Sequence, residues 1–174
     1  MSKDEKPLKE ALAKKSFRSQ HLPFVTNRQV HHWKEIGILD DHREYAASGM
    51  KSNYHFFDVL WLRIITEMRA FRISHTSIKE VKKHLFDIEE KANLLYQTIE
   101  KVITKNKTSI IIVLKNGSVK VLDEEVYFHN VAIKALDHYL ALRLDVLIWE
   151  ILFQLDFDPD IKSIIQQHKN TNNE

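Results

Sequence analysis

Eight apolar residues between positions 78 and 102 recur at alternating spacings of three and four, which is the a/d pattern of a coiled-coil seam. Such a seam needs a partner helix, because a lone helix in water would expose it. The partner is either another part of this chain or the same helix of a second subunit, and we predict the second subunit. The seam consists of Ile78, Val81, Leu85, Ile88, Ala92, Leu95, Ile99 and Val102, of which the last five are the predicted dimer contacts.

Two runs rich in β-branched residues, 108–114 and 118–122, flank the pair Asn116-Gly117. Asn-Gly is the usual centre of a type I′ turn, so the sequence predicts a β-hairpin here. Because an isolated hairpin is only marginally stable, a third strand or a helix has to cover it.

The segment after this hairpin allows two interpretations. Alternation of leucines with other residues predicts a third strand at about 139–144, whereas a single helix through 130–155 is the alternative. In either case residues 146–155 are predicted to form a buried helix, with Asp145 as its cap.

Several further segments show helical spacing of apolar residues between suitable end residues. The clearest begins at Thr26, a good N-cap, and ends at Gly37, a good residue for the position after a helix. Val30 and Trp33 lie on its inner face. The other predicted helices cover residues 4–17, residues 57–71 with Asp58 as the cap, a segment that starts near Ser74, and residues 161–168.

Charge is distributed unevenly along the chain. Residues 1–86 hold 16 Lys and Arg against 10 Asp and Glu, a net charge of +6, whereas residues 87–174 hold 10 against 14, a net charge of −4. Seven of the ten histidines also lie in the first half. A basic first half favours an anionic partner, and nucleic acid is the commonest large anion.

Composition excludes several classes of protein. The chain has no Cys, so it has no disulfide, thiolate zinc site, iron–sulfur cluster or cysteine nucleophile. Only 3 Gly and 3 Pro argue against turn-rich all-β folds. No apolar run approaches the ~20 residues of a membrane span, and the charged first segment does not fit a signal peptide. We therefore expect a cytoplasmic protein with no membrane partner.

The helix that begins at Thr26 has residues suited to reading DNA. Its first turn carries Asn27, Arg28 and Gln29, and these side chain types pair with base edges in the major groove. Taken alone, this segment fits an ordinary capped surface helix better, so the sequence around it has to decide.

Residues 25–85 resemble the DNA-binding domain of the MerR (mercury-resistance regulator) family, a winged helix-turn-helix. Four residues match the family's V-S-x-R-T-L-R-Y-Y/W pattern: Thr26 at the Ser, Arg28 at the Arg, Val30 at the Leu and Trp33 at the second aromatic residue. Residues 35–39 nearly copy the tail of the family's pattern. Residues 58–74 are similar to the D-L-x-x-L-x-x-I-x-x-L-R-x-L-G-F-S pattern that follows. In the wing, Arg43 matches an Arg, Lys51 takes the role of another Arg, and Tyr54 matches a Tyr.

The chain departs from the family in three places. His32 replaces a Tyr, Arg72 replaces a Gly and suggests a different join between two helices, and residues 16–24 fit the family's first helix poorly. The family's first helix then either corresponds to residues 8–17, with a longer turn after it, or is replaced in this chain.

The resemblance implies a homodimer that binds a pseudo-palindromic operator in double-stranded DNA and distorts its centre. It implies a winged helix-turn-helix domain at 1–86, a dimerisation helix at 87–107 and a C-terminal effector or interaction domain at 108–174, in a mainly α (α+β) fold. The predicted DNA-binding residues are Thr26, Asn27, Arg28, Gln29, His31, His32, Arg43, Lys51 and Tyr54.

We predict a transcription regulator without catalytic activity, because no paired catalytic group stands out. The alternative is a DNA-architectural or protein-interaction protein with the same fold. A small-molecule effector is expected but not identified, and we predict no cofactor. His129 and His138 follow no known metal-ligand spacing, and the aromatic residues Tyr139, Trp149, Phe153 and Phe157 fit either a small apolar pocket or the core.

Overall fold

The computed structural model describes residues 5–14, 17–18, 22–40, 53–115, 117–154 and 163. Within these residues the chain is mixed α+β, as predicted, with seven α-helices and two small antiparallel sheets. The predicted helix at 161–168 lies outside the described residues, apart from Ser163. In chain order the elements are α1 (Glu5–Ala13), β1 (Phe17–Arg18), α2 (Asn27–Glu35), β2 (Asn53–Tyr54), α3 (Phe56–Ala70), α4 (His75–Lys82), α5 (Glu89–Lys105), β3 (Ser109–Leu114), β4 (Val119–Asp123), α6 (Glu124–Ala132), β5 (Tyr139–Arg143) and α7 (Leu144–Gln154).

Helix α3 is the central helix of the first half, and nine of its side chains are buried. Helix α1 packs against it and buries Leu8 and Leu12. The N-cap of α3 is His55 rather than the predicted Asp58. Asp58 is instead the third helical residue, and its carboxylate accepts a hydrogen bond from the His55 backbone N–H at 3.0 Å. The two side chains thus form a reciprocal cap of the capping-box type.

The join between α3 and α4 keeps the conformation that a glycine would adopt. Arg72 has φ +59, and the Ile73 N–H donates to the Met68 carbonyl oxygen at 3.0 Å. This is the usual left-handed end of a helix. Arg72 therefore adopts the left-handed conformation itself, and a join that differs from the family's stays a prediction.

The heptad run does not form one continuous helix. After α4 a π-helical turn spans Lys83–Asp87, and Ile88 then adopts an extended conformation before α5 begins. Helix α5 occupies the segment predicted as the dimerisation helix, but Leu95, Ile99 and Val102 are each at most 1% exposed within the single chain. Their own chain covers these side chains, as in the intrachain alternative, so in this conformation they offer no surface to a second subunit. Ala92 is half-buried, and Ile88 is 38% exposed.

The predicted hairpin and third strand are present, and the strand order is β4-β3-β5. The hairpin connection differs from the predicted two-residue turn. Leu114 N–H donates to the Ser118 carbonyl oxygen at 2.9 Å, and Gly117 N–H donates to the Leu114 carbonyl oxygen at 2.8 Å. Three residues therefore lie between the hydrogen-bonded pair Leu114 and Ser118. Gly117 has φ +83, as the last residue of such a loop requires.

Strand β5 rules out the alternative of a single helix through 130–155. Helix α7 begins at Leu144, so Asp145 lies inside the first turn and is not the cap. Its carboxylate accepts two hydrogen bonds from the Arg143 guanidinium, at 2.9 and 2.7 Å, and this pairing raises the pKa of Arg143.

One hydrophobic cluster extends from α1 to α7 and joins the two halves of the chain. Helix α7 packs against α3, α5 and β3. Across the α3–α7 contact, Arg63 donates two hydrogen bonds to the Glu150 carboxylate, at 3.1 and 2.8 Å. A search of the described residues finds no helix with the length and apolar character needed to cross a membrane.

Candidate nucleic-acid interface

A capping box fixes the start of α2. Thr26 Oγ1 accepts a hydrogen bond from the Gln29 backbone N–H at 3.2 Å, and Gln29 Oε1 accepts one from the Thr26 backbone N–H at 2.8 Å. The Thr26 hydroxyl also donates to Gln29 Oε1 at 2.9 Å. These bonds satisfy backbone donors that would otherwise have no partner at the helix start.

Helix α2 has one buried face and one exposed face. Val30 and Trp33 are buried in the core. The opposite face carries Arg28, His31 and His32, all exposed, because residues three and four apart share a face. Beyond the helix, Trp61 Nε1 donates to the Ile38 carbonyl oxygen at 2.9 Å in a buried hydrogen bond from α3. Buried contacts within α2 and just beyond its end therefore fix the orientation of the exposed face.

The predicted DNA-binding residues of α2 have different surroundings. Thr26, Asn27 and Arg28 are exposed at the first turn. Gln29 is also exposed, but its carbonyl oxygen takes part in the capping box, and a bidentate contact to adenine needs that oxygen. His31 Nε2 lies 3.3 Å from the Glu35 carboxylate one turn along.

Tyr54 does not match its predicted role. It is 3% exposed, pairs with Phe17 across the β1–β2 sheet, and lies beneath the Lys34 ammonium at 5.5 Å from the ring centre. A side chain that is buried in this way has no surface for DNA, so Tyr54 packs and supports α2 instead. The other two predicted wing residues, Arg43 and Lys51, lie outside the described residues.

The structure adds residues from α3 and α4 to this surface. The rings of His32 and His75 meet edge to face, with centroids 5.6 Å apart. Burial of His75 lowers its pKa, and the positive charges of Arg69, His32 and Lys79 lower it further. A β-carbon added to Gly37 would lie 3.8 Å from Lys79 Nζ, so Lys79 reaches the end of α2. No pattern in the sequence indicates this cluster, because only the packing of α4 beside α2 brings its residues together.

The second half of the chain has a cleft of different character. It has a volume of about 270 Å³ and lies between the end of α5 and the start of α6. Its lining is charged, with Lys101, Lys105 and Lys107 together with Asp123, Glu124 and Glu125. Cations at a helix end and carboxylates at a helix start are also what helix dipoles favour, so this lining has a structural explanation.

The predicted alternatives for an effector or metal site gain no support. Trp149 stacks on Phe153 at 5.4 Å, whereas Tyr139 contacts Tyr127, and Phe157 lies outside the described residues. The Tyr127 and Tyr139 hydroxyls are 3.2 Å apart, and this hydrogen bond raises the pKa of Tyr127. Among the described residues no group of three His, Asp or Glu side chains is placed to hold a metal ion.

A comparison of the chain with models of known protein families finds no match, and a comparison with curated protein sequences finds none either. The family resemblance therefore stays a prediction from the residues quoted above.

Proposed function

We propose that the protein is a sequence-specific DNA-binding regulator of the MerR type, in which α2 is the recognition helix of a winged helix-turn-helix. In this proposal α2 enters the major groove of double-stranded DNA and Arg28 contacts a base edge. Asn27, His31 and His32 contribute on either side of Arg28.

The observation that carries the proposal is the geometry of α2. Its start is capped, its inner face is anchored by Trp33, and its first-turn side chains are exposed. A rigid helix with polar, hydrogen-bonding side chains at its N-terminal end is the element that major-groove readers use. The excess of Lys and Arg in the first half favours the same partner through attraction to phosphate.

Arg28→Ala tests the base contact. We expect it to weaken binding to a preferred sequence by about 1–3 kcal/mol and to relax sequence preference at one position. The measurement is a selection of binding sites from random duplexes, followed by titration of the selected duplex with each variant. Lys120→Ala, which removes an exposed cation from β4, is the matched control. Unchanged affinity and preference in Arg28→Ala would exclude α2 as the recognition helix.

We further propose that the protein binds its operator as a homodimer, as the family resemblance implies. Because Leu95, Ile99 and Val102 are buried in their own chain, a dimer contact made by α5 has to use its exposed side. Leu94 lies there and is 41% exposed.

Sedimentation equilibrium tests the dimer. We expect a mass near twice the 20.6 kDa of the chain. Leu94→Glu should lower this mass toward that of one chain, because it places a charge on the exposed side of α5. It should also weaken operator binding, since two linked half-sites gain from effective concentration. A wild-type protein that sediments as a single chain at micromolar concentration would exclude the homodimer.

A further inference from the structure

The junction between α2 and α4 brings four cationic or protonatable side chains together. His32 lies on α2, Arg69 near the end of α3, and His75 and Lys79 one turn apart on α4. His32, Arg69 and Lys79 are exposed and His75 is half-buried. Within the part of the chain that the structure describes, the charged neighbours that act on His75 are all cationic.

This arrangement is unfavourable in the free protein. Partial burial and three positive neighbours disfavour protonation of His75, so its pKa is lowered. Lys79 has a structural explanation, because a cation near the end of α2 is favoured by the helix dipole. The helix dipole does not explain why the His32 and His75 rings meet beside the two cations Arg69 and Lys79. An anion between them would turn each repulsion into an attraction.

We propose that His32, His75 and Lys79 form a phosphate-binding site at the α2–α4 junction, which holds one phosphate of the DNA backbone for each chain. The inference rests on the proposed DNA-binding function and adds a contact from α4 to it. Arg69 contributes charge, although one of its guanidinium nitrogens donates to the Ile73 carbonyl oxygen at 2.7 Å.

The position of the site relative to Arg28 favours a backbone phosphate. His32 follows Arg28 by one helical turn on the same exposed face of α2, and His75 lies beyond His32 on the neighbouring helix. A helix that places Arg28 in the major groove therefore brings the histidine pair toward the edge of that groove, where the phosphates lie. The one carboxylate described on this face of α2, Glu35, lies beside His31 and not beside His75.

Such a contact makes DNA binding depend on pH. A phosphate favours the protonated form of His75, whereas the free protein disfavours it, so binding takes up a proton. Affinity is then highest at low pH and falls as the pH rises through the histidine range, by at most about tenfold per pH unit for each proton taken up.

The experiment is a titration of a fluorescein-labelled duplex of arbitrary sequence, at fixed low ionic strength, between about pH 6 and pH 8. An arbitrary duplex suffices because phosphate contacts carry no sequence information. We expect the affinity of the wild type to fall by about three- to tenfold across this range. His75→Gln should lower the affinity at low pH and reduce the pH dependence to what His31 and His32 contribute. His75→Lys should reduce the pH dependence equally but keep the high affinity. His129→Gln removes an exposed histidine of α6 and should leave the wild-type profile unchanged.

Lys79→Gln provides a second measurement that does not depend on a histidine. It should reduce the slope of log affinity against log salt by about one for each site, as loss of a phosphate contact does. Circular dichroism confirms that each variant is folded. Binding that keeps its full pH dependence in His75→Gln would overturn the phosphate site and leave the proposed function standing. Failure of every variant and of the wild type to bind any duplex would overturn both.

Discussion

Helices α2 and α6 both have nine residues, and they differ in almost every other respect. Helix α2 buries Val30 and Trp33 and exposes polar side chains. None of the nine side chains of α6, all of which the structure describes, is buried, and four apolar residues in and just after it are exposed: Val126, Phe128, Val131 and Ile133. Packing into the core thus determines where α2 lies, whereas α6 packs against β4 and β3 without burying a side chain.

The two helices also differ in the residues that cap their starts and their ends. Helix α2 begins with a reciprocal capping box, whereas Asp123 makes no side-chain hydrogen bond to the described start of α6. Both helices end with the same backbone hydrogen bonds, from Gly37 and Ile38 in one case and from Lys134 and Ala135 in the other. The left-handed residue is Gly37 in α2, at φ +70, and Lys134 after α6, at φ +53. Local sequence therefore supports α2 at both ends, whereas α6 has acidic residues at its start but neither a capping hydrogen bond there nor a glycine at its end.

Removal of a large side chain from each helix should show the largest difference. Trp33→Ala empties a buried site and should lower the free energy of unfolding by about 3–5 kcal/mol. Phe128→Ala acts on a side chain that is 60% exposed and should lower it by less than about 1 kcal/mol. Urea denaturation followed by circular dichroism measures both. A loss in Phe128→Ala as large as that in Trp33→Ala would show that the α6 surface is covered in solution.

The helix starts should differ by a smaller amount. Thr26→Ala removes the capping box of α2 and should lower the free energy of unfolding by about 1 kcal/mol. Asp123→Ala loses no capping hydrogen bond and only a weak interaction with the helix dipole, so a loss of about 0.3–0.5 kcal/mol is expected. The midpoints of urea denaturation, compared between variants that have the same m-value, measure both losses. Equal losses in the two variants would mean that the capping box contributes nothing beyond an ordinary charge at a helix start.

The helix ends should give effects of about the same size as the helix starts, but with opposite signs. Lys134→Gly relieves a left-handed conformation and should raise the free energy of unfolding by about 0.5 kcal/mol, after the greater freedom of glycine in the unfolded chain is subtracted. Gly37→Ala imposes the same conformation on alanine and should lower it by about 1 kcal/mol. Thermal unfolding checks both changes. Stabilisation by Gly37→Ala would contradict the left-handed conformation at that position.

The same contrast explains what could be predicted from the sequence. The limits of α2 follow from its own residues, since Thr26, Gln29 and Gly37 encode its start and its end. Helix α6 was not predicted, although Asp123 is a suitable N-cap residue and two glutamates follow it, because no Gly or Pro marks the end at Lys134. Alternation at about 139–144 predicted the third strand but left a helix through 130–155 as the alternative, and strand β5 decides between them.

The heptad run and the histidine pair show where sequence patterns stop being sufficient. The spacing of Leu95, Ile99 and Val102 correctly predicts an apolar seam, but the spacing does not say which chain provides the partner. The break at Ile88 leaves the spacing of apolar residues intact and is therefore invisible in the sequence. The contact between His32 and His75 joins residues far apart in the chain, and only tertiary packing brings them together.

The turn of the β3–β4 hairpin lies against α4, the helix that carries His75 and Lys79. A β-carbon added to Gly117 would lie 3.3 Å from the β-carbon of Glu80, so the turn has no room to move toward the helix without displacing it. The turn is therefore in direct contact with the helix that carries part of the proposed DNA-binding surface. If a ligand bound at the turn changed the affinity for DNA, thermodynamic reciprocity would require DNA to change the affinity for that ligand by the same factor.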